Sequence, residues 1–282
     1  AIIGVIVVFI GVGFLVKYAA EHEMFPVELR FAGAALIGII LLGIGWRLRN
    51  TRTVFGLLLQ GGGVGVLYIT VFAAAKLFHL LPLGLALGMM IALVVFSAML
   101  AVLQNAKSLA IFGAAGGFLA PILTSTGSGN HVMLFSYYAL LNLGIVSIAW
   151  YRSWRELNLL GFVFTFVIGL VWGAKYYRPE LFPSVEPFLI LFFLLFVLVA
   201  VLFAVRQPPN LKGVVDSTLV FGVPVVGFAM QSALVRNMEY GLAMSALTVS
   251  ALYIGLAMML WRRAAQDLRL LIESFLALGV VF

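Results

Sequence analysis

A chain of 282 residues that is 64% apolar and 10% charged, with a mean hydropathy of +1.19, departs from soluble globular composition, where roughly 45–50% apolar and about 25% charged residues are usual. No stretch is polar enough for long enough to fold outside a bilayer, so a separate soluble domain is excluded and a single transmembrane domain over residues 1–282 is expected. The net charge of +7 does not indicate nucleic acid, because Lys and Arg stand singly between apolar runs, and the zero cysteine count excludes disulfides, thiolate metal sites and a cysteine nucleophile.

Apolar runs near the roughly 20 residues needed to span a bilayer follow one another along the chain. They lie at 1–20, 29–46, 54–75, 82–103, 109–123, 132–150, 157–174, 187–205, 214–234, 240–261 and 268–282. Barrel strands would alternate apolar and polar residues over about ten positions, whereas these runs are apolar on every face. Helices are the remaining way to satisfy the backbone in lipid. The expectation is an all-α polytopic integral membrane helical bundle of about eleven transmembrane helices. The first run has neither an initiator Met nor a basic leader, so it does not read as a signal peptide. With the short apolar stretch at 275–282, it predicts a fragment of a longer protein, truncated at both ends.

The loops supply an orientation, because cations concentrate on the cytoplasmic side. One alternate set carries eleven of the 17 cations, among them Arg47, Lys107, Arg152, Arg206 and Arg262; the other set and its helix ends carry six. Acids divide oppositely, with Glu21, Glu23, Glu28, Glu180, Glu186 and Glu239 in the cation-poor set. Loops near 47–53, 105–108, 151–156, 206–213 and 262–269 are therefore expected to be cytoplasmic. Their recurrence predicts tandem helical hairpins of roughly 50–56 residues. Weak internal matches fit that unit: Arg52, Gly61, Gly62 and Thr70 align with Lys107, Gly116, Gly117 and Ser125.

Small residues form the densest motif, Gln60-Gly61-Gly62-Gly63-Val64-Gly65, echoed by Gly113-Ala114-Ala115-Gly116-Gly117. Missing side chains four apart let helix backbones approach closely, so Gly61, Gly65, Gly113 and Gly117 are expected to pack helices; the alternative is a hinge or the floor of a substrate groove. No strand precedes the glycines and no Lys-Ser/Thr pair follows, which argues against a phosphate loop. In the fifth run Pro121 stands ahead of Thr124, Ser125 and Thr126, and there the helix either breaks to line a cavity or simply stops.

Ionisable groups inside a membrane are costly and draw functional suspicion. Asp216 and Glu273 lie inside apolar runs, whereas Lys17, Lys76 and Lys175 are close enough to helix ends to snorkel. His22, His79 and His131 lack the spacing of a metal site, so neither a metal nor a cofactor is expected. Trp46, Trp150, Trp154 and Trp261 sit at span ends, as an interfacial belt requires. The polar groups beside the distinctive motifs, Glu28, Arg30, Gln60, Pro121, Ser125 and Thr126, together with Asp216 and Glu273, are the candidate binding residues. No catalytic residue is visible: there are no paired carboxylates, no nucleophile with its base and no metal cluster.

Several segments carry a family likeness: Gly11-Val12-Gly13-Phe14-Leu15-Val16-Lys17-Tyr18-Ala19, Pro26-Val27-Glu28-Leu29-Arg30, Gly61-Gly62-Gly63, Leu80-Leu81-Pro82 and Gly116-Gly117-Phe118-Leu119-Ala120-Pro121. On these, covering about the first half, the chain resembles the bacterial multi-pass membrane proteins grouped as domain of unknown function 2339 (DUF2339). The resemblance implies a bacterial cytoplasmic membrane location and a longer full protein, and it transfers no catalytic residue.

Three functions remain open. The first is transport or handling of a lipid or other amphiphilic envelope molecule, for which Gly-rich helices and a broken fifth span would wall a cavity. The second is an envelope scaffold, whose small-residue faces would meet other membrane proteins or a second copy. A membrane-embedded enzyme is third. Membrane lipids are the expected partners in every case.

Overall fold

The computed structural model describes residue 11 and residues 26–124, 130–152, 154–206, 218–262 and 268–282. Lipid offers no hydrogen bonds to an open backbone, so apolar runs of this length become helices, and among the described residues there is no strand. The helices are α1 (Val27–Leu48), α2 (Thr53–Lys76), α3 (Leu83–Gln104), α4 (Lys107–Thr124), α5 (His131–Tyr151), α6 (Arg155–Tyr176), α7 (Phe182–Arg206), α8 (Val223–Leu234), α9 (Gly241–Trp261) and α10 (Arg269–Val281). A 3₁₀ turn at Pro179–Leu181 precedes α7, and a π turn at Thr218–Gly222 leads into α8.

The protein is a polytopic helical bundle. Seven described helices, α1, α2, α3, α5, α6, α7 and α9, are long and apolar enough to cross a membrane. The expected spans at 109–123, 214–234 and 268–282 fall on shorter helices: α4, the π turn with α8, and α10. The first expected span lies outside the described residues. The chain forms two compact units, Ala1–Ser128 and Gly129–Phe282.

In the first unit α1 and α2 form a hairpin closed by glycines. A Cβ on Gly45 would stand 2.6 Å from the carbonyl oxygen of Gly56, and one on Gly63 would stand 2.7 Å from that of Gly38. Both helices place these glycines seven residues apart, two turns, so the backbones touch twice along one seam. Next to the seam the carboxamides of Gln60 and Gln104 bond reciprocally: Nε2 of Gln60 donates to Gln104 at 3.1 Å, and Nε2 of Gln104 donates back at 2.7 Å. Helices α3 and α4 meet where Ser97, fully buried, donates to the carbonyl of Leu109 and occupies the space beside Gly113. Asn105, at φ 52°, turns the chain between them, a left-handed conformation that asparagine tolerates.

In the second unit the N-terminus of α5 is capped by Asn130, whose side chain accepts from the backbone of Met133 at 3.1 Å. Aromatic rings fill the space between helices. Phe135 of α5 packs edge-on against Trp172 of α6 at 5.1 Å and tilts against Phe188 of α7 at 5.6 Å. Lower in the chain, Phe162 and Phe166 of α6 bracket Phe196 of α7. Tyr253 of α9 contacts Phe193 of α7 and Phe275 of α10, tying three helices together. Such ring pairs contribute about 0.5–1.5 kcal/mol each beyond area burial.

Candidate functional site

Most expected site residues do not converge. Glu28 is exposed in the first turn of α1, where its charge suits the helix N-terminus. Arg30, two residues further along α1, is half-buried. Gln60 is fully buried and spends its amide on Gln104. Pro121 neither stops nor breaks its helix, because α4 continues past it to Thr124. A proline costs one bond of the ladder, and neighbouring protein groups can satisfy the freed backbone. Glu273 is no buried charge: α10 turns Leu271, Ile272, Phe275 and Leu278 inward. That leaves the half-exposed Glu273 carboxylate to pair with Arg269 at 2.8 Å, one turn back. Ser125, Thr126 and Asp216 lie outside the described residues.

Two grooves are present instead, one in each unit. The first, of about 510 Å³, runs between α2 and α4. Gly61, Gly62 and Gly65 line one side, Phe112 and Gly116 the other, and Tyr68 one end. Gly61 has no atom within 4 Å of where a Cβ would stand, so it opens space rather than making contact. Gly116, by contrast, lies 3.0 Å from the Tyr68 ring at its Cβ position. The Tyr68 hydroxyl donates toward the carbonyls of Met90 and Gly113, 3.3 and 3.4 Å away. Its polar tip is thus held by protein and its ring is left to shape the groove. Gly117 is buried.

The second groove, of about 400 Å³, lies between α7, α8 and α9. One end is polar. The Nε2 of Gln231 donates to Glu186 Oε1 at 2.7 Å and to Ser245 Oγ at 3.3 Å. Apart from Thr248, whose hydroxyl donates to the Met244 carbonyl at 2.7 Å, the rest is apolar, with Ile190, Phe193, Phe228 and Leu252 along the walls. A Cβ on Gly227 would stand 2.7 Å from Phe193, so this glycine lets α8 close against the ring. Nearby, the Tyr177 hydroxyl donates to the carbonyl of Leu234 at 3.2 Å, covering the C-terminal end of α8. Its pKa is raised, first by burial and then by the carboxylates of Glu186 and Glu180, which keeps it a donor.

Sequence reasoning missed this cluster for a definite reason. It places Glu186 among loop acids ahead of a span at 187–205, whereas α7 begins at Phe182 and carries Glu186 as its fifth residue. Gln231 and Ser245 stand in two other apolar helices, and no spacing along the chain links them to Glu186. The detectable signal was a lone carboxylate within one turn of an apolar run.

Among the described residues no group of three or more His, Asp or Glu could hold a metal ion. No curated protein and no solved structure matches the chain. A family model does, over its whole length: with residues 1–282 matched to "Predicted membrane protein (DUF2339)", the chain belongs to the DUF2339 family.

Proposed function

We propose that this protein binds an amphiphilic membrane molecule and handles or transports it, taking the molecule's apolar chain into the groove between α2 and α4. The observation that carries the reading is the groove itself: about 510 Å³ lined by glycine backbone, leucines and aromatic rings, within the roughly 300–1,000 Å³ of small-molecule sites. Removing side chains at Gly61 and Gly65, one turn apart on α2, leaves a furrow along the helix. The resemblance to a bacterial family supports a cytoplasmic membrane location, and the cation-rich loops near 47–53 and 105–108 support their lying inside.

The test is retention of lipid by the purified protein. A phospholipid with a photoactivatable acyl chain should crosslink to α2 and α4, mapped by peptide mass spectrometry. Gly61→Leu projects a side chain into the furrow from a position where a Cβ meets nothing within 4 Å and should cut crosslinking about fivefold or more at unchanged melting temperature. Equal crosslinking in both proteins would sink the proposal. The same open small-residue face also suits a partner helix. In that scaffold reading Gly61→Leu changes the size of a native complex and leaves lipid crosslinking alone.

A further inference from the structure

We infer that the groove between α7, α8 and α9 is a binding site for a hydrophobic amine: a primary ammonium attached directly to an apolar body, with the ammonium at Glu186, Gln231 and Ser245. The inference stands apart from the groove between α2 and α4, in another unit and on other observations.

The polar end is rich in acceptors. An ionised carboxylate only accepts hydrogen bonds, and here one oxygen of Glu186 takes the amide proton of Gln231. The second Nε2 hydrogen of Gln231 goes to Ser245 Oγ. Among the described residues neither the other Glu186 oxygen nor the Gln231 carbonyl oxygen has a protein partner, and no cation pairs with Glu186. Glu186, Gln231 and Ser245 line one cavity. A primary ammonium carries three N–H donors and one positive charge, which matches that set in number and in sign.

Depth selects the rest of the ligand. Glu186, Gln231 and Ser245 each lie within one turn, roughly 6 Å, of the end of their helix. The apolar wall begins immediately beneath them: Ile190 is one turn below Glu186, and Phe193 and Leu252 are two turns below Glu186 and Ser245. Head and tail contacts are contiguous, so a phosphate set between amine and chain would fall against the apolar wall. A phosphate there would also face the Glu186 carboxylate. An unpaired carboxylate at the edge of a span is costly, and a bound ammonium would offset that cost by pairing with it. Zwitterionic phospholipids are therefore the wrong occupant, and a long-chain amine is the right one.

The experiment uses the full protein in phosphatidylcholine nanodiscs, with dodecylamine as the probe. At neutral pH it is protonated, since alkylammonium groups such as that of lysine have a pKa of about 10.4. Calorimetric titration, corrected with protein-free nanodiscs, should show saturable binding of dodecylamine and binding of 1-dodecanol weaker by about tenfold or more. Glu186→Gln should lower dodecylamine affinity about tenfold and leave dodecanol unchanged. Ile190→Trp, which narrows the groove without touching the carboxylate, should weaken binding as well; melting temperatures confirm that both variants are folded. The proposal is overturned by any of three results: amine and alcohol bind alike, folded Glu186→Gln binds as the parent does, or phosphatidylethanolamine in the nanodisc competes as well as dodecylamine.

Discussion

Gly45 and Gly43 stand two residues apart on α1 and make opposite predictions. A methyl at Gly45 meets the Gly56 carbonyl and the Gln60 side chain under 3 Å, whereas one at Gly43 meets nothing within 4 Å. Gly45→Ala should therefore cost about 1–3 kcal/mol by overpacking. Gly43→Ala should be neutral or stabilising by about 0.5–1 kcal/mol through helix propensity; reversible denaturation in mixed micelles reads both. Buried amides separate in the same way. Gln104→Leu strands the fully buried Gln60 and should cost about 1–3 kcal/mol, with the double leucine variant closer to the parent. Asn158 is 1% exposed and neither amide atom has a hydrogen-bond partner. Asn158→Leu should then raise the unfolding midpoint, and a lowered midpoint would show that the amide is satisfied in the native membrane. The glycine-rich stretch was legible as a small-residue face. Which glycines touch was not: the seam uses Gly38, Gly45, Gly56 and Gly63, spaced by two turns, while Gly61 opens a groove. Spacing along one helix says that a face is small, but only the opposing helix decides what fills it.

At the scale of elements, the long apolar helices coincide with their hydropathic runs because one local rule, backbone satisfaction in lipid, decides both. The exceptions are the elements where packing competes. Helix α4 is 18 residues long with Pro121 inside it, and the ninth expected span divides into a π turn and the 12-residue α8. Such a π turn is rare and frequent at functional sites. Here it precedes the helix that carries Gly227 and Gln231 into the second groove. The start of α7 shifted by five residues relative to the run at 187–205, and that shift moved Glu186 from a loop into a helix. Pro187 is the sixth residue of α7 and lies inside the helix, where it costs one bond of the ladder without ending it, as Pro121 does in α4. Pro187 was therefore a poor boundary marker, which is why the polar end of that groove stayed illegible.

For the whole chain, topology is the quantity that sequence and structure approach from different sides. Absence of native cysteine makes it directly measurable. Thr51 precedes α2 and Glu180 precedes α7, so five helices, α2 to α6, separate them. Thr51→Cys and Glu180→Cys should react with impermeant maleimide from opposite faces of the membrane; reaction from the same face would mean that the short α4 does not cross. Composition and cation placement by themselves determined the class of the protein, an all-helical polytopic membrane bundle, and the number and order of its apolar segments, because lipid imposes the same demand on every backbone. The tertiary structure alone decided which glycines close a seam and which open a groove, and it alone gathered Glu186, Gln231 and Ser245 from three helices at one polar end. Those outcomes depend on rotation and depth of one helix against another, and apolar runs, interchangeable in composition, do not record either.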